Sequence, residues 1–80
     1  MHLTLYHFQD CPYCARVRDF LAQNGIDVPM KDTHENPAYR AELIQIGGKP
    51  QVPCLVMDGK ALYESLDIME WFKKNKGQLK

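Results

Sequence analysis

The stretch Cys11-Pro12-Tyr13-Cys14 decides the fold because of what lies on either side of it. Residues 2–8, just before it, are rich in strand-forming residues and predict a β-strand. Pro12 suits the first position of a helix, where the N–H group that proline lacks would have no partner. Apolar residues then recur at helical spacing, at positions 17, 20 and 21. The motif is therefore predicted to stand at a turn from a strand into a helix.

Glycine-containing pairs divide the rest of the chain into alternating strands and helices. Asn24-Gly25 and Gly47-Gly48 are typical helix ends, and Asp58-Gly59 is typical of a tight hairpin between two strands. Ser65 is expected to cap the last helix, with Asp67 in its first turn. The pattern predicts strands over residues 2–8, 26–30, 54–57 and 60–63, and helices over 12–23, 37–46 and 65–72. The chain after residue 72 is basic and is expected to fray.

Length and composition favour one small domain working in the cytosol. Eighty residues with an apolar share of 45% are enough for a single core. The net charge of zero provides no basic surface for nucleic acid or membranes, and no apolar run reaches the roughly 20 residues of a transmembrane helix. The start of the chain lacks the pattern of a signal peptide. Met1, together with a frayed end, favours a complete chain over residues 1–80.

Cys11 and Cys14 carry the chemistry that the sequence predicts. Their spacing places both sulfurs on one face of the predicted helix, and the helix N-terminus favours a negative charge on Cys11. Cys11 is therefore predicted to be the nucleophilic thiolate, and Cys14 the thiol that attacks a mixed disulfide formed at Cys11. A zinc site is the alternative, but it usually needs four ligands and the sequence has no second pair of this kind. Cys54 with His7 or His34 would have to complete it.

The chain resembles the glutaredoxins in two motifs and over nearly its whole length. Cys-Pro-Tyr-Cys after the first strand is the dithiol motif of that family. Val52-Pro53, at the head of a later strand, matches its Thr-Val-Pro, with Gln51 in place of threonine. The resemblance implies an α/β thioredoxin fold with the order βαβαββα, in which three helices flank a four-stranded mixed sheet. It also implies a cis peptide bond before Pro53, which leaves the main chain of Val52 free to pair with a bound peptide.

After the hairpin the sequence departs from the glutaredoxin pattern. Glutaredoxins usually have Gly-Gly-x-Asp there, whereas Glu64-Ser65 resembles the signature of glutathione S-transferase N-terminal domains, in which these residues hold the γ-glutamyl end of glutathione. The chemistry agrees, because a carboxylate pairs with an ammonium group and a serine at a helix N-terminus binds a carboxylate. The resemblance implies glutathione contacts at Tyr13, Gln51, Val52, Pro53, Glu64 and Ser65. The alternative from the residues alone is that Ser65 only caps the helix and Glu64 is a solvated charge.

Several other residues have more than one interpretation. Phe8 stands where many glutaredoxins have a Lys or Arg that binds the glycine carboxylate of glutathione. The remaining candidates for that group are Lys49, Gln51 and Arg40. His7 is near the catalytic turn, but a strand histidine without a further role is the favoured interpretation. Cys54 is interpreted as a buried, inert thiol.

The resemblance implies a glutathione-dependent thiol–disulfide oxidoreductase that reduces protein disulfides and glutathione mixed disulfides. It would act as a monomer without a bound cofactor or metal, and its partners would be glutathione, as co-substrate, and disulfide-containing or glutathionylated proteins.

Two alternatives stay open. The first is an electron carrier recycled by thioredoxin reductase. The second is a module in which Cys11 and added glutathione ligate an iron–sulfur cluster between two chains, which Pro12 disfavours. A transferase acting on electrophiles is disfavoured, because such enzymes build the pocket for the second substrate from an added helical domain, for which 80 residues leave no space.

Overall fold

The structure, a computed structural model, describes residues 2–75 of the chain. The strands are β1 (Leu3–His7), β2 (Met30–Asp32), β3 (Cys54–Met57) and β4 (Lys60–Leu62), and the helices are α1 (Pro12–Gln23), α2 (Pro37–Gly47) and α3 (Ser65–Asn75). This element order confirms the predicted sequence of three helices and four strands. Within residues 2–75, none of the helices combines the length and the apolar character needed to cross a membrane.

The four strands form one mixed sheet in the order β2-β1-β3-β4. β1 pairs in parallel with β2, with Leu5 opposite Met30, and antiparallel with β3, with Leu5 opposite Leu55. β3 and β4 form the hairpin that Asp58-Gly59 predicts, with positive φ angles of 48° and 86° at these two residues. The mixed sheet with its flanking helices confirms the thioredoxin fold.

Two buried clusters lie on opposite faces of the sheet, because successive strand residues point to opposite sides. One face packs against α1 and α3 through Leu5, Val17, Leu21, Val28, Leu55, Ile68 and Phe72. The other face packs against α2 through Tyr6, Leu43, Cys54 and Val56. α1 and α3 therefore lie side by side on one face, and their N-terminal ends can contribute to one site.

The position of β2 differs from the prediction. The strand spans Met30–Asp32, whereas the sequence pattern predicted residues 26–30. The Ile26 N–H donates to the Leu21 carbonyl at 2.9 Å, so this residue takes part in the turn that caps the C-terminal end of α1 and does not pair with β1. Pro29 has no N–H and contributes only its carbonyl, which accepts from the Leu5 N–H at 2.9 Å. Regular pairing therefore begins only after the proline.

Both ends of α3 also differ from the prediction. The Ile68 N–H donates to the Glu64 carbonyl at 2.9 Å, so Glu64 occupies the cap position and Ser65 is the first helical residue. At the other end the helix continues to Asn75, whose side chain donates to the Trp71 carbonyl at 2.8 Å. Basic residues in the last turn favour this continuation, since they interact well with the helix dipole. The rest of the predicted frayed tail, residues 76–80, lies outside the described residues.

Candidate active site

Cys11 lies where β1 leads into α1. It caps the helix in an extended conformation (φ −86°, ψ 114°), and its sulfur accepts the backbone N–H of Cys14 at 3.3 Å. Pro12 occupies the first turn, as the sequence predicts. The sulfur of Cys11 therefore faces the unpaired N–H groups and the positive end of the helix dipole, a position that stabilises negative charge.

The two motif cysteines differ in their access to solvent. Cys14 is 0% exposed, whereas Cys11 retains 7% of its surface. Burial, reinforced by the hydrogen bond to Cys11, raises the pKa of the Cys14 thiol to about 12. Both cysteines are free thiols in this structure. Cys11 is therefore the sulfur that can meet a substrate, while Cys14 stays protonated behind it.

The loop before β3 lies directly against Cys11. The Val52-Pro53 peptide bond is cis, as the resemblance implied. The Cys11 thiol donates to the Val52 carbonyl with a sulfur–oxygen distance of 3.9 Å. The sulfur of Cys11 therefore lies beside the main chain of Val52.

A cavity of about 370 Å³ opens beside this loop. The structure brings together at its wall all six residues predicted to contact glutathione, namely Tyr13, Gln51, Val52, Pro53, Glu64 and Ser65. It adds three residues that the sequence analysis did not predict, Arg16, Tyr63 and Leu66. Tyr13 and Leu66 are 57% and 70% exposed, so the cavity has an apolar rim open to a ligand.

The three residues considered for binding the glycine carboxylate of glutathione differ in their position relative to the cavity. Gln51 lines the cavity, whereas Lys49 and Arg40 do not. The ammonium group of Lys49 lies over the ring of Tyr63, 4.6 Å from its centroid. Phe8, which replaces the basic residue of many glutaredoxins, stacks on the ring of His34 with 3.7 Å between the centroids.

Tyr63, at the wall of the cavity, is held by the end of α2 and the residues that follow it. Its hydroxyl donates to the Lys49 carbonyl at 3.0 Å and packs where a side chain at Gly47 would stand. Burial raises the pKa of Tyr63. Gly48, with φ 90°, is the residue that ends α2, so the glycine at position 47 is explained by this packing instead. Gly47 was the available sequence signal for this close contact, because one glycine, Gly48, suffices to end the helix.

Arg18 supports the segment that leads into Cys11. Its guanidinium lies 3.0 Å from Nδ1 of His7 and donates to the carbonyls of Phe8 and Gln9 at 3.3 and 3.4 Å. Burial lowers the pKa of His7, and the positive charge of Arg18 adds to this shift. His7 is therefore held neutral as a hydrogen-bond partner of Arg18.

Cys54 lies on the opposite face of the sheet, in the cluster under α2. Burial raises the pKa of its thiol to about 11. Among the residues that the structure describes, no three His, Cys, Asp or Glu side chains are grouped so that they could hold a metal ion. The ligands that the zinc alternative required therefore do not meet.

Comparison with known proteins agrees with this geometry. Over residues 5–79 the sequence matches the family described as the N-terminal domain of glutathione S-transferase. The chain belongs to this family. The sequence is also 29% identical over 59 residues to glutaredoxin 3 of Escherichia coli K12, and this alignment covers 74% of the chain and 71% of that protein. It is 35% identical over 68 residues to mouse prostaglandin E synthase 2 (84% of the chain, 17% of that protein).

Solved structures of both glutathione transferases and glutaredoxins resemble this domain. Glutathione transferase Omega 3C from Trametes versicolor matches with a TM-score of 0.81 at 33% identity, over 100% of this chain and 36% of that one. The buckwheat glutaredoxin–glutathione complex matches with a TM-score of 0.72 at 26% identity, over 92% of this chain and 70% of that one. The chain spans about one sixth of the curated relatives it matches first, at 17% and 15% of their length. These relatives support a glutathione-related redox function on a thioredoxin fold.

Proposed function

We propose that this domain is a glutathione-dependent thiol–disulfide oxidoreductase in which Cys11 is the nucleophile. The observation that carries the proposal is the position of the Cys11 sulfur, which lies at the N-terminus of α1 and against Val52 at the wall of the cavity. A thiolate so placed is stabilised by the helix, and Cys11 retains 7% of its surface for contact with a substrate.

The reaction is a pair of thiol–disulfide exchanges at Cys11. Its thiolate attacks the glutathione sulfur of a mixed disulfide, so that one S–S bond breaks as another forms, and the substrate leaves as a thiolate that takes up a proton. A second glutathione, as thiolate, then attacks the glutathione sulfur on Cys11. Oxidised glutathione leaves and the Cys11 thiolate is regenerated. In net terms one free glutathione and the glutathione carried by the mixed disulfide leave together as oxidised glutathione, and the substrate sulfur is released as a thiol.

The cavity supplies groups that match the parts of glutathione. Glu64 would pair with the ammonium group of the γ-glutamyl end, and Ser65 at the start of α3 would donate to its carboxylate. The main chain of Val52 would pair with that of the central cysteine, as an added strand does. Tyr13, Gln51 and Pro53 would complete the walls. The glutathione bound by the buckwheat glutaredoxin supports glutathione as the ligand.

Cys14 would serve a second route, in which it attacks the Cys11 sulfur and releases glutathione or a protein thiol. Its thiol is fully buried and its pKa lies at about 12, so the attacking thiolate forms rarely. Glutathione mixed disulfides would therefore be reduced chiefly without Cys14. Protein disulfides would depend on it more strongly, because attack by Cys11 leaves the protein joined to Cys11 by a mixed disulfide, which Cys14 breaks by forming a disulfide with Cys11.

Recycling by thioredoxin reductase is the second candidate. It is favoured by Phe8, which stacks on His34 where a basic residue would strengthen glutathione binding. Either route needs a reducing compartment, and we propose that the protein works as a monomer in the cytosol.

The test measures reduction of a glutathione mixed disulfide by the purified protein, with glutathione as electron donor. Cys11→Ser should abolish turnover, and Cys14→Ser should retain most of it. Cys54→Ser is the matched control, because this thiol is equally buried but lies on the other face of the sheet. Turnover with thioredoxin reductase and none with glutathione would replace the first proposal by the second candidate.

A further inference from the structure

Two opposite charges that form no ion pair within residues 2–75 line the cavity. Arg16 on α1 and Glu64 at the cap of α3 both contribute to its wall. The ion pairs of the described residues are Lys31–Glu42 and Glu70–Lys74, so within residues 2–75 neither Arg16 nor Glu64 is neutralised by an ion pair. Charges that face one cavity and do not pair with each other are available to a ligand that carries both signs.

The side chain of Arg16 is directed toward the active site. Its guanidinium carbon lies 5.7 Å from the ring centroid of Tyr13, one helical turn earlier and beside Cys11. Arg16 precedes Val17, which belongs to the buried cluster shared by α1 and α3. Arg16 itself is exposed and lines the same cavity as Ser65 and Leu66 at the start of α3.

We infer that Arg16 is a specificity-determining residue that binds the α-carboxylate of the γ-glutamyl group, together with Ser65. This inference rests on the proposed function and extends it. Glu64 takes the ammonium group of the same α-amino acid, so the cavity holds one zwitterion by both of its charges. Arginine suits the role because its planar donors match a carboxylate in two parallel hydrogen bonds. The domain would then select thiols with a γ-glutamyl end over thiols that lack the α-carboxylate.

The test is a binding measurement that does not depend on turnover. Cys11→Ser protein, with and without Arg16→Gln, is titrated with reduced glutathione by NMR. The probe for comparison is 4-aminobutyryl-cysteinyl-glycine, which differs from glutathione only by lacking the α-carboxylate. Arg16→Gln should raise the Kd for glutathione by about tenfold, a typical loss for a charge-assisted contact, and should leave the Kd for the analogue unchanged. Arg16→Lys should restore part of the affinity for glutathione.

Arg40→Gln is the matched control, since Arg40 is an exposed arginine that does not line the cavity. It should leave both affinities as they are. An equal loss for glutathione and the analogue would overturn the inference, because Arg16 would then act on the site in general. An unchanged Kd for glutathione in Arg16→Gln would overturn it as well. Binding with this specificity but without turnover in the parent protein would refute the proposed function alone, and the absence of any binding would refute both.

Discussion

Gly47→Ala is expected to disturb both the stability of the domain and its cavity. A Cβ atom at position 47 would lie 2.7 Å from Cζ of Tyr63 and 2.9 Å from Cβ of Ala61. Neither distance is tolerated, so the Tyr63 ring must move. Its hydrogen bond to the Lys49 carbonyl, 3.0 Å long, would be lost with that movement.

The size of the effect follows from three contributions. Overpacking of this kind costs about 1–3 kcal/mol, and the lost hydrogen bond costs about 0.5–1.5 kcal/mol. Alanine gains about 0.5–1 kcal/mol over glycine inside a helix. We therefore expect a net loss of about 0.5–4 kcal/mol in the free energy of unfolding. In a domain of this size each kcal/mol lowers Tm by roughly 4–8 °C.

The assay is urea unfolding followed by circular dichroism for four proteins, namely wild type, Gly47→Ala, Tyr63→Ala and the double variant. If the ring causes the loss, Gly47→Ala should cost less than half as much in the Tyr63→Ala background. Gly25→Ala is the control, because Gly25 has φ 64° and open space around its Cβ position. It should lose stability through backbone strain alone, by the same amount in both backgrounds. A cost of Gly47→Ala that is independent of Tyr63 would refute the reasoning.

Three further predictions concern titration and reactivity. Because the folded protein lowers the pKa of His7, the unfolded chain binds the proton more tightly, so stability should fall as pH drops below about 6.5, and His7→Gln should flatten that part of a urea-unfolding series. The hydrogen bond from Lys31 lowers the pKa of Glu42, so this pair should stabilise the fold above the unfolded pKa of Glu42 and lose its effect as pH falls through the folded value. Since both side chains are partly exposed, Glu42→Gln should cost less than about 1 kcal/mol at pH 7 and nothing at pH 2 in the same unfolding assay. Brief alkylation of the reduced native protein with iodoacetamide at pH 7.5 should modify Cys11 before Cys54, as peptide mass spectrometry can show, because burial keeps Cys54 protonated.

The sequence predicts best what local residue types determine. Pro12 at the start of α1, Asp58-Gly59 in the hairpin and the glycines after the first two helices are local signals, and the structure has an element boundary at each of them. The position of β2 could not be obtained in this way. Its pairing is set by Leu5 of a distant strand and by the missing N–H of Pro29, and the sequence pattern around residues 26–30 carries no information on that partner.

The candidate site shows the same division. The six residues predicted to contact glutathione are recognisable from the sequence, and the fold brings them to one cavity. Arg16, Arg18 and Tyr63 were missed because their surroundings depend on how distant parts of the chain come together. Helical spacing alone does not distinguish Arg18, whose guanidinium donates a hydrogen bond to the Phe8 carbonyl, from a solvated arginine. Only the folded chain places Arg16 at the cavity or Tyr63 against Gly47.

The most direct test of the central claim is a map of glutathione on the trapped intermediate. Cys14→Ser protein is treated with oxidised glutathione, the modified cysteine is identified by mass spectrometry, and the amide chemical shifts are compared with those of the reduced protein. We expect one glutathione on Cys11, with the largest shifts at the amides of Val52, Glu64 and Ser65. Glutathione on Cys54, or a Cys11 adduct that leaves these three amides unshifted, would contradict it.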